Sequence, residues 1–196
     1  MAVAFALGNG KSRLAIDVAV LQRLGSVYGC NALYREHTPT VLVATDRPMA
    51  REIEESGYPQ RHVFYTRKPA AGSGSRAVPT KWYGWSSGPI ATALAAQDGY
   101  HKIFLLGHDL GSPTGTINNC YAGTANYRPA DARATYAGNW VKQISQVLTQ
   151  FAHVEFCRVL GSESTRVESL TAYKNYHEQT LPAFLDWINT QRNNDQ

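Results

Sequence analysis

Long apolar runs are missing from this sequence. No stretch approaches the ~20 residues needed to cross a bilayer. The opening MAVAFALGNGKSR holds only a short apolar stretch with no basic residue before it, which argues against a secretory leader. Cysteine is scarce and odd in number. Cys30, Cys120 and Cys157 form no CxxC pair, which favours reduced thiols over a disulfide framework. The six histidines show no HxH or HExxH spacing and none stands with a cysteine, so no metal ligand set is expected. GxGxxG, the P-loop signature and the G-x-S-x-G elbow are all absent, which removes the common dinucleotide, P-loop and serine-hydrolase readings. Basic residues never run longer than two, unlike the concentrated charge of a nucleic-acid binder. The expectation is a soluble, cytoplasmic protein with no membrane span, nucleic-acid partner, metal or cofactor.

What the chain does have is the composition of an ordinary globular domain. Of its 196 residues, 43% are apolar and 17% charged, a balance that excludes disorder. Sixteen glycines and nine prolines exclude a coiled coil. The mild excess of +4 suits an anionic small molecule. No internal repeat is present, and the span 1–196 reads as one domain.

Short apolar runs alternate with helical patterns along the chain. Strands are expected at 3–7 (VAFAL), 27–30, 41–44 (VLVA), 62–65 (HVFY), 102–106 (KIFLL) and 154–160. Helices are expected over LAIDVAVLQRL (14–24), PMAREIEESG (48–57), the Ala-rich stretch after Ser86-Ser87-Gly88, 138–151 and a closing stretch 178–192. Such alternation predicts an α/β, Rossmann-like, mostly parallel sheet flanked by helices. Two long irregular stretches, 66–85 and 110–135, exceed the usual connection length, and the second reads as a lid.

In an open α/β sheet, ligands bind beyond the carboxyl ends of the strands. Polar clusters fall at those ends: Gly8-Asn9-Gly10, Cys30-Asn31, Thr45-Asp46 and Gly107-His108-Asp109. Glycine lets backbone approach a ligand, and a helix N-terminus attracts an anion. Ser86, Ser87 and Gly88 stand at such a terminus, where they either cap the helix or offer donors to a phosphate or carboxylate. Asn31 and Asp46 either grip a ribose or base or organise turns. Tyr121, Tyr127 and Tyr136 lie in or beside the second irregular stretch, as stacking groups or as a small satellite core.

Taken in order, GNGKSR, YGCNALYRE, VATD, SSGPIATALAAQDGYHKIFLLGHD and a Tyr-bearing loop resemble the bacterial CMP-sialic-acid-dependent sialyltransferases and a wider Rossmann-like group with a GNGPS-type opening. The likeness runs from residue 3 to about 127, with a weaker echo at FCRVLGSES (156–164). It implies a glycosyltransferase-like protein binding a nucleotide sugar of the CMP-linked type. By that resemblance Asn9 and Gly10 face the phosphates and Asn31 the ribose or sugar. Ser86, Ser87 and Gly88 hold the cytidine or a sugar carboxylate, and Tyr121, following Asp109, meets the leaving phosphate. Asp46 stands where the family has Asn. Transfer would then need no metal.

Two features depart from that pattern. RPADARATYAGNW (128–140) carries no histidine where the family has its general base, a role typically worth 10²–10⁴-fold. Asp131 and His108 are the remaining candidates for it. The basic residue expected before the SSG turn is replaced by Gly84-Trp85. A non-catalytic structural or binding module reusing the fold, as a subunit of an assembly or a homo-oligomer, is therefore the alternative. A third reading is a pyrophosphokinase-like enzyme of the wider group, needing Mg²⁺ on carboxylates such as Asp46 and Asp109.

Overall fold

Residues Val3–Leu7 (β1) form the middle strand of an eight-stranded sheet in the computed structural model, which describes residues 2–194. All of its strand pairs are parallel. After β1 come α1 (Val18–Leu24), β2 (Ser26–Cys30), β3 (Val41–Val43), α2 (Arg47–Glu55), β4 (Phe64–Thr66) and β5 (Arg76–Ala77). The second half supplies α3 (Ser87–Gln97), β6 (Lys102–Leu106), α4 (Gly138–Gln150), β7 (Glu155–Leu160), β8 (Tyr176–Thr180) and α5 (Leu181–Asn194). Across the sheet the order is β5-β4-β3-β2-β1-β6-β7-β8.

That order has a physical consequence. The chain walks outward from β1 to β5, returns to β1's other side and walks outward again to β8. Right-handed crossovers in opposite directions place their helices on opposite faces. Accordingly Val18, Leu21, Met49 and Ile53 of α1 and α2 pack with Phe5 and Phe184 on one face. Ile90 and Leu94 of α3 pack with Ile144 and Val147 of α4 on the other. Between β1 and β6 the strand order reverses, and the helices that follow these strands lie on opposite faces. This is where a doubly wound sheet opens its ligand crevice.

Local sequence explains each element's quality. β1 and β6 are apolar and buried because both faces of a parallel sheet are covered. Helix α3 is buried all round, which is why its sequence is Ala-rich rather than amphipathic. Phe5, Phe104, Phe184 and Trp187 make an aromatic cluster tying α5 to the central strands, with Phe104 and Trp187 centroids 4.6 Å apart.

Several expectations need correction. The stretch 14–24 is not one helix: a 3₁₀ turn spans Lys11–Ala15, and α1 begins only at Val18. Asp17 interrupts because its Oδ1 caps the Ala19 N–H at 2.9 Å, leaving Leu14 exposed. The fourth strand is shifted to Phe64–Thr66, and the irregular stretch 66–85 contains the two-residue edge strand β5. The closing helix starts at Leu181, because residues 176–180 form β8.

Candidate functional site

Beyond the carboxyl ends of the strands lies a cavity of about 650 Å³, within the usual size of small-molecule sites. Nine of the ten residues singled out from the sequence line it: Gly8, Asn9, Gly10, Asn31, Asp46, Ser86, Ser87, Gly88 and Asp109. The tenth, Tyr121, does not. Its ring is buried, its hydroxyl accepting from Arg13 Nη2 at 3.0 Å and donating to Glu36 at 3.3 Å. Burial first, with the Glu36 charge beside it, pushes that hydroxyl up to about 12 despite Arg13. Tyr127, not Tyr121, reaches the cavity wall.

The floor is made by two loops pressed together. Gly8 N–H donates to Leu106 O at 2.8 Å and Gly10 N–H to Gly107 O at 2.9 Å. A Cβ on Gly8 would stand 2.5 Å from the Gly107 carbonyl oxygen, and one on Gly10 would collide with the Asp109 carboxylate. The glycines are therefore required by loop-to-loop packing, whatever ligand sits above them.

Asp109, a binding candidate from the sequence, lines the cavity but gives its oxygens to protein donors. It is buried, and its oxygens accept from Ser12 N–H (3.1 Å), Ser12 Oγ, Asn118 Nδ2 (3.1 Å) and Ser164 Oγ (2.9 Å). Asn118 also donates to Gly111 O and Glu163 O, clasping the lid to the loop after β7. Beneath them Arg158 is fully buried. Its Nε donates to His108 O (2.7 Å), and its Nη2 to Asp109 O and Thr165 O (both 2.8 Å). Arg35 holds the other end of the lid. Paired with Glu52 at 2.8 Å, it also donates to Thr124 Oγ1 and Ala125 O.

Other residues of the cavity wall keep a buried polar atom that no protein group meets. Asn9 is buried and gives its Nδ2 to Cys30 O at 3.1 Å, which fixes the carboxamide orientation and leaves Oδ1 without a partner. Asn31 Oδ1 is likewise buried and unpartnered, on a residue at φ 53°, the left-handed region that side chains seldom adopt. Ser87 Oγ is occupied by Thr45, accepting its N–H at 3.0 Å, and Ser86 N–H donates to Gln143. No side chain caps α3, and because Pro89 has no N–H and Ile90 N–H bonds Ser86 O, the first turn has two N–H groups to offer, those of Ser87 and Gly88, both cavity residues. His108, 6% exposed, has an unpartnered Nε2. Burial, and secondarily the Arg158 charge, lower its pKa to about 4, so the imidazole is neutral at pH 7.

Sequence reasoning missed Arg67 and Trp140, which join the cavity wall from the end of β4 and from α4. It also missed Arg13 and Arg158, both buried. Nothing in the local sequence marks these arginines, since each is defined by partners 7 to 108 residues away. Cys30 lines the cavity, but burial pushes its thiol up to about 12, which leaves it inert. Among the described residues no group of three His, Cys, Asp or Glu side chains is placed to hold a metal ion, and no helix is long and apolar enough to cross a membrane. Comparison with family models, curated proteins and solved structures returns no significant match.

Proposed function

We infer that the cavity binds a nucleotide sugar and that the chain is glycosyltransferase-like. One observation carries this reading: unpartnered acceptors and an uncapped helix N-terminus share a single cavity at the switch point. Asn9 Oδ1 and Asn31 Oδ1 each lack a donor, and unmet buried acceptors cost about 1–3 kcal/mol each. Ribose and sugar hydroxyls are donors that satisfy them. A phosphate cannot, so Asn9 belongs to a hydroxyl rather than to the phosphates that the resemblance assigns to it. The anion falls instead to the first turn of α3. A nucleotide sugar supplies both chemistries in one molecule, and the CMP-linked class rests on the sequence resemblance.

In transfer, an acceptor oxygen attacks the anomeric carbon while the bond to the phosphate oxygen breaks and the nucleotide leaves with the electron pair. The acceptor's proton needs a base. His108 is held neutral but, with its pKa near 4, is a weak one, and Asp131 is exposed on the lid and off the cavity wall. This lack of a strong base favours, as the second reading, a binding module that keeps the pocket without the transfer step. The pyrophosphokinase-like reading loses support because Asp109 spends its oxygens on protein donors.

Thermal shift with CMP, UMP, GMP and AMP tests the pocket. At 100 times Kd a ligand stabilises by about 2.7 kcal/mol. Asn31→Gly is the matched variant, since glycine accepts a positive φ and removes only the carboxamide. A CMP shift that shrinks in Asn31→Gly supports the reading, and no shift with any nucleotide refutes it. Slow hydrolysis of a CMP-sugar separates the enzyme from the binding module.

A further inference from the structure

The net charge of the chain is not evenly spread. Between Ser56 and Gln97 the sequence has five Lys or Arg (Arg61, Arg67, Lys68, Arg76, Lys81) and no Asp or Glu. The whole +4 excess therefore lies in this one segment, which ends in α3. Of these cations only Arg67 reaches the cavity. It follows β4, is half-buried, and spends one donor, Nη2, on Trp85 O at 3.2 Å. Its Nε is buried without a partner, and among the described residues no carboxylate pairs with it.

A guanidinium held in a wall without a counter-ion is costly unless an anion arrives. The place it is held is informative. Trp85 immediately precedes Ser86, the residue before α3, so Arg67 stands against the uncapped first turn of that helix. From the other side comes His108, whose Cε1 lies 3.3 Å from where a Gly88 Cβ would be. That ring is more than nine-tenths buried and neutral, with its one N–H turned to the Ala6 carbonyl, so it walls the turn and offers an anion no donor. Residues 85–88 thus meet an unpaired guanidinium on one side and the edge of an imidazole ring on the other. The only other acidic side chain on the wall besides the fully engaged Asp109 is the exposed Asp46.

We propose that Arg67 and the first turn of α3 form one oxyanion subsite, which holds a phosphate or carboxylate of the ligand. Arg67 is the specificity-determining residue in it, giving Nε and its remaining Nη donors to two oxygens of the anion. It supplies in space the cation that Gly84-Trp85 lacks in sequence. The inference deepens the ligand reading above and rests on the same cavity being the binding site.

Calorimetric titration of the wild type, Arg67→Gln and Arg67→Lys with CMP, cytidine, inorganic phosphate and N-acetylneuraminate tests it. A charge-assisted pair is worth about 10- to 100-fold in affinity. If a phosphate sits there, the wild type prefers CMP to cytidine by that factor, and Arg67→Gln abolishes the preference while cytidine binding stays. If a carboxylate sits there, the CMP preference survives and N-acetylneuraminate binding is lost in Arg67→Gln. Arg67→Lys keeps the charge without the fork and falls between. Phosphate binding that depends on Arg67, with no nucleotide bound by any variant, would leave the subsite standing and sink the nucleotide-sugar reading. Unchanged affinities for all four probes in Arg67→Gln, with a native melting profile, overturn the proposal.

Discussion

Replacing Arg158 by methionine tests the claim that the Gly107-His108-Asp109 turn is built for structure before chemistry. Methionine fills much of the same volume, so packing loss is small. What remains is polar. His108 O and Thr165 O lose their only side-chain donor from Arg158, while Asp109 O keeps the Thr165 N–H at 2.8 Å. Two orphaned carbonyls cost roughly 2–6 kcal/mol together. Glu178 loses its partner at 3.4 Å but keeps the Tyr176 hydroxyl at 2.7 Å, which holds its share to about 1 kcal/mol. Against these losses stands the relief of no longer burying a guanidinium, which can make removal of a whole buried ion network favourable. Here the carbonyls stay behind, so relief is partial and the net loss is about 3 kcal/mol. Urea unfolding should show a lower midpoint at unchanged slope, and heating a fall in Tm of about 6–12 °C. A loss below about 1 kcal/mol, or a gain, would mean that water or alternative donors satisfy those carbonyls and the bracket is dispensable.

His108 gives a pH prediction. Its folded pKa of about 4 lies below the unfolded value, so the unfolded chain binds more protons between these values. Stability is full above about pH 6.5 and falls as pH drops toward 4, by roughly 3 kcal/mol from this residue. His108→Gln should flatten that slope in urea midpoints taken across the window, and an unaltered slope would contradict the assignment. Gly8→Ala forces a methyl against the Gly107 carbonyl, backbone to backbone, and should destabilise by about 1–3 kcal/mol. Gly57→Ala is its control: that glycine has a positive φ but nothing near its Cβ position, so it should cost only the backbone strain of about 1–2 kcal/mol. Equal ligand-independent stability of Gly8→Ala and wild type would refute the loop-packing account.

Legibility followed the strength of local signals. β1, β6 and α3 were readable because buried parallel strands and an all-buried helix leave continuous apolar runs that no loop imitates. β8 was not, because YHEQT on a sheet edge carries little hydrophobic pattern, and its pairing with β7 supplies what the sequence does not. The switch-point clusters were legible as a group, since glycine and polar residues after apolar strands mark the crevice in any doubly wound sheet. Their individual roles were not. Whether a given Asp, Asn or Tyr serves ligand or scaffold is decided by partners distant in sequence, such as Arg13 for Tyr121 and Ser164 for Asp109.

That division carries the functional argument further than the lining of the cavity does. A cavity wall full of polar residues is expected at any strand-end crevice, and most of these have their hydrogen bonds met by the protein itself. Asp109, Asn118 and Ser87 are committed, and their commitments hold lid, loops and helix in place. Four side chains on the wall keep a buried atom uncommitted: Asn9, Asn31, Arg67 and His108. Two of those atoms are pure acceptors and one is a charged donor, while the imidazole nitrogen follows its tautomer. A buried polar atom that no protein group meets costs about 1–3 kcal/mol until some partner reaches it. A ligand with hydroxyls at one end and an oxyanion at the other meets the two acceptors and the guanidinium together, and removing the free group of Asn9, Asn31 or Arg67 should weaken it without unfolding the chain.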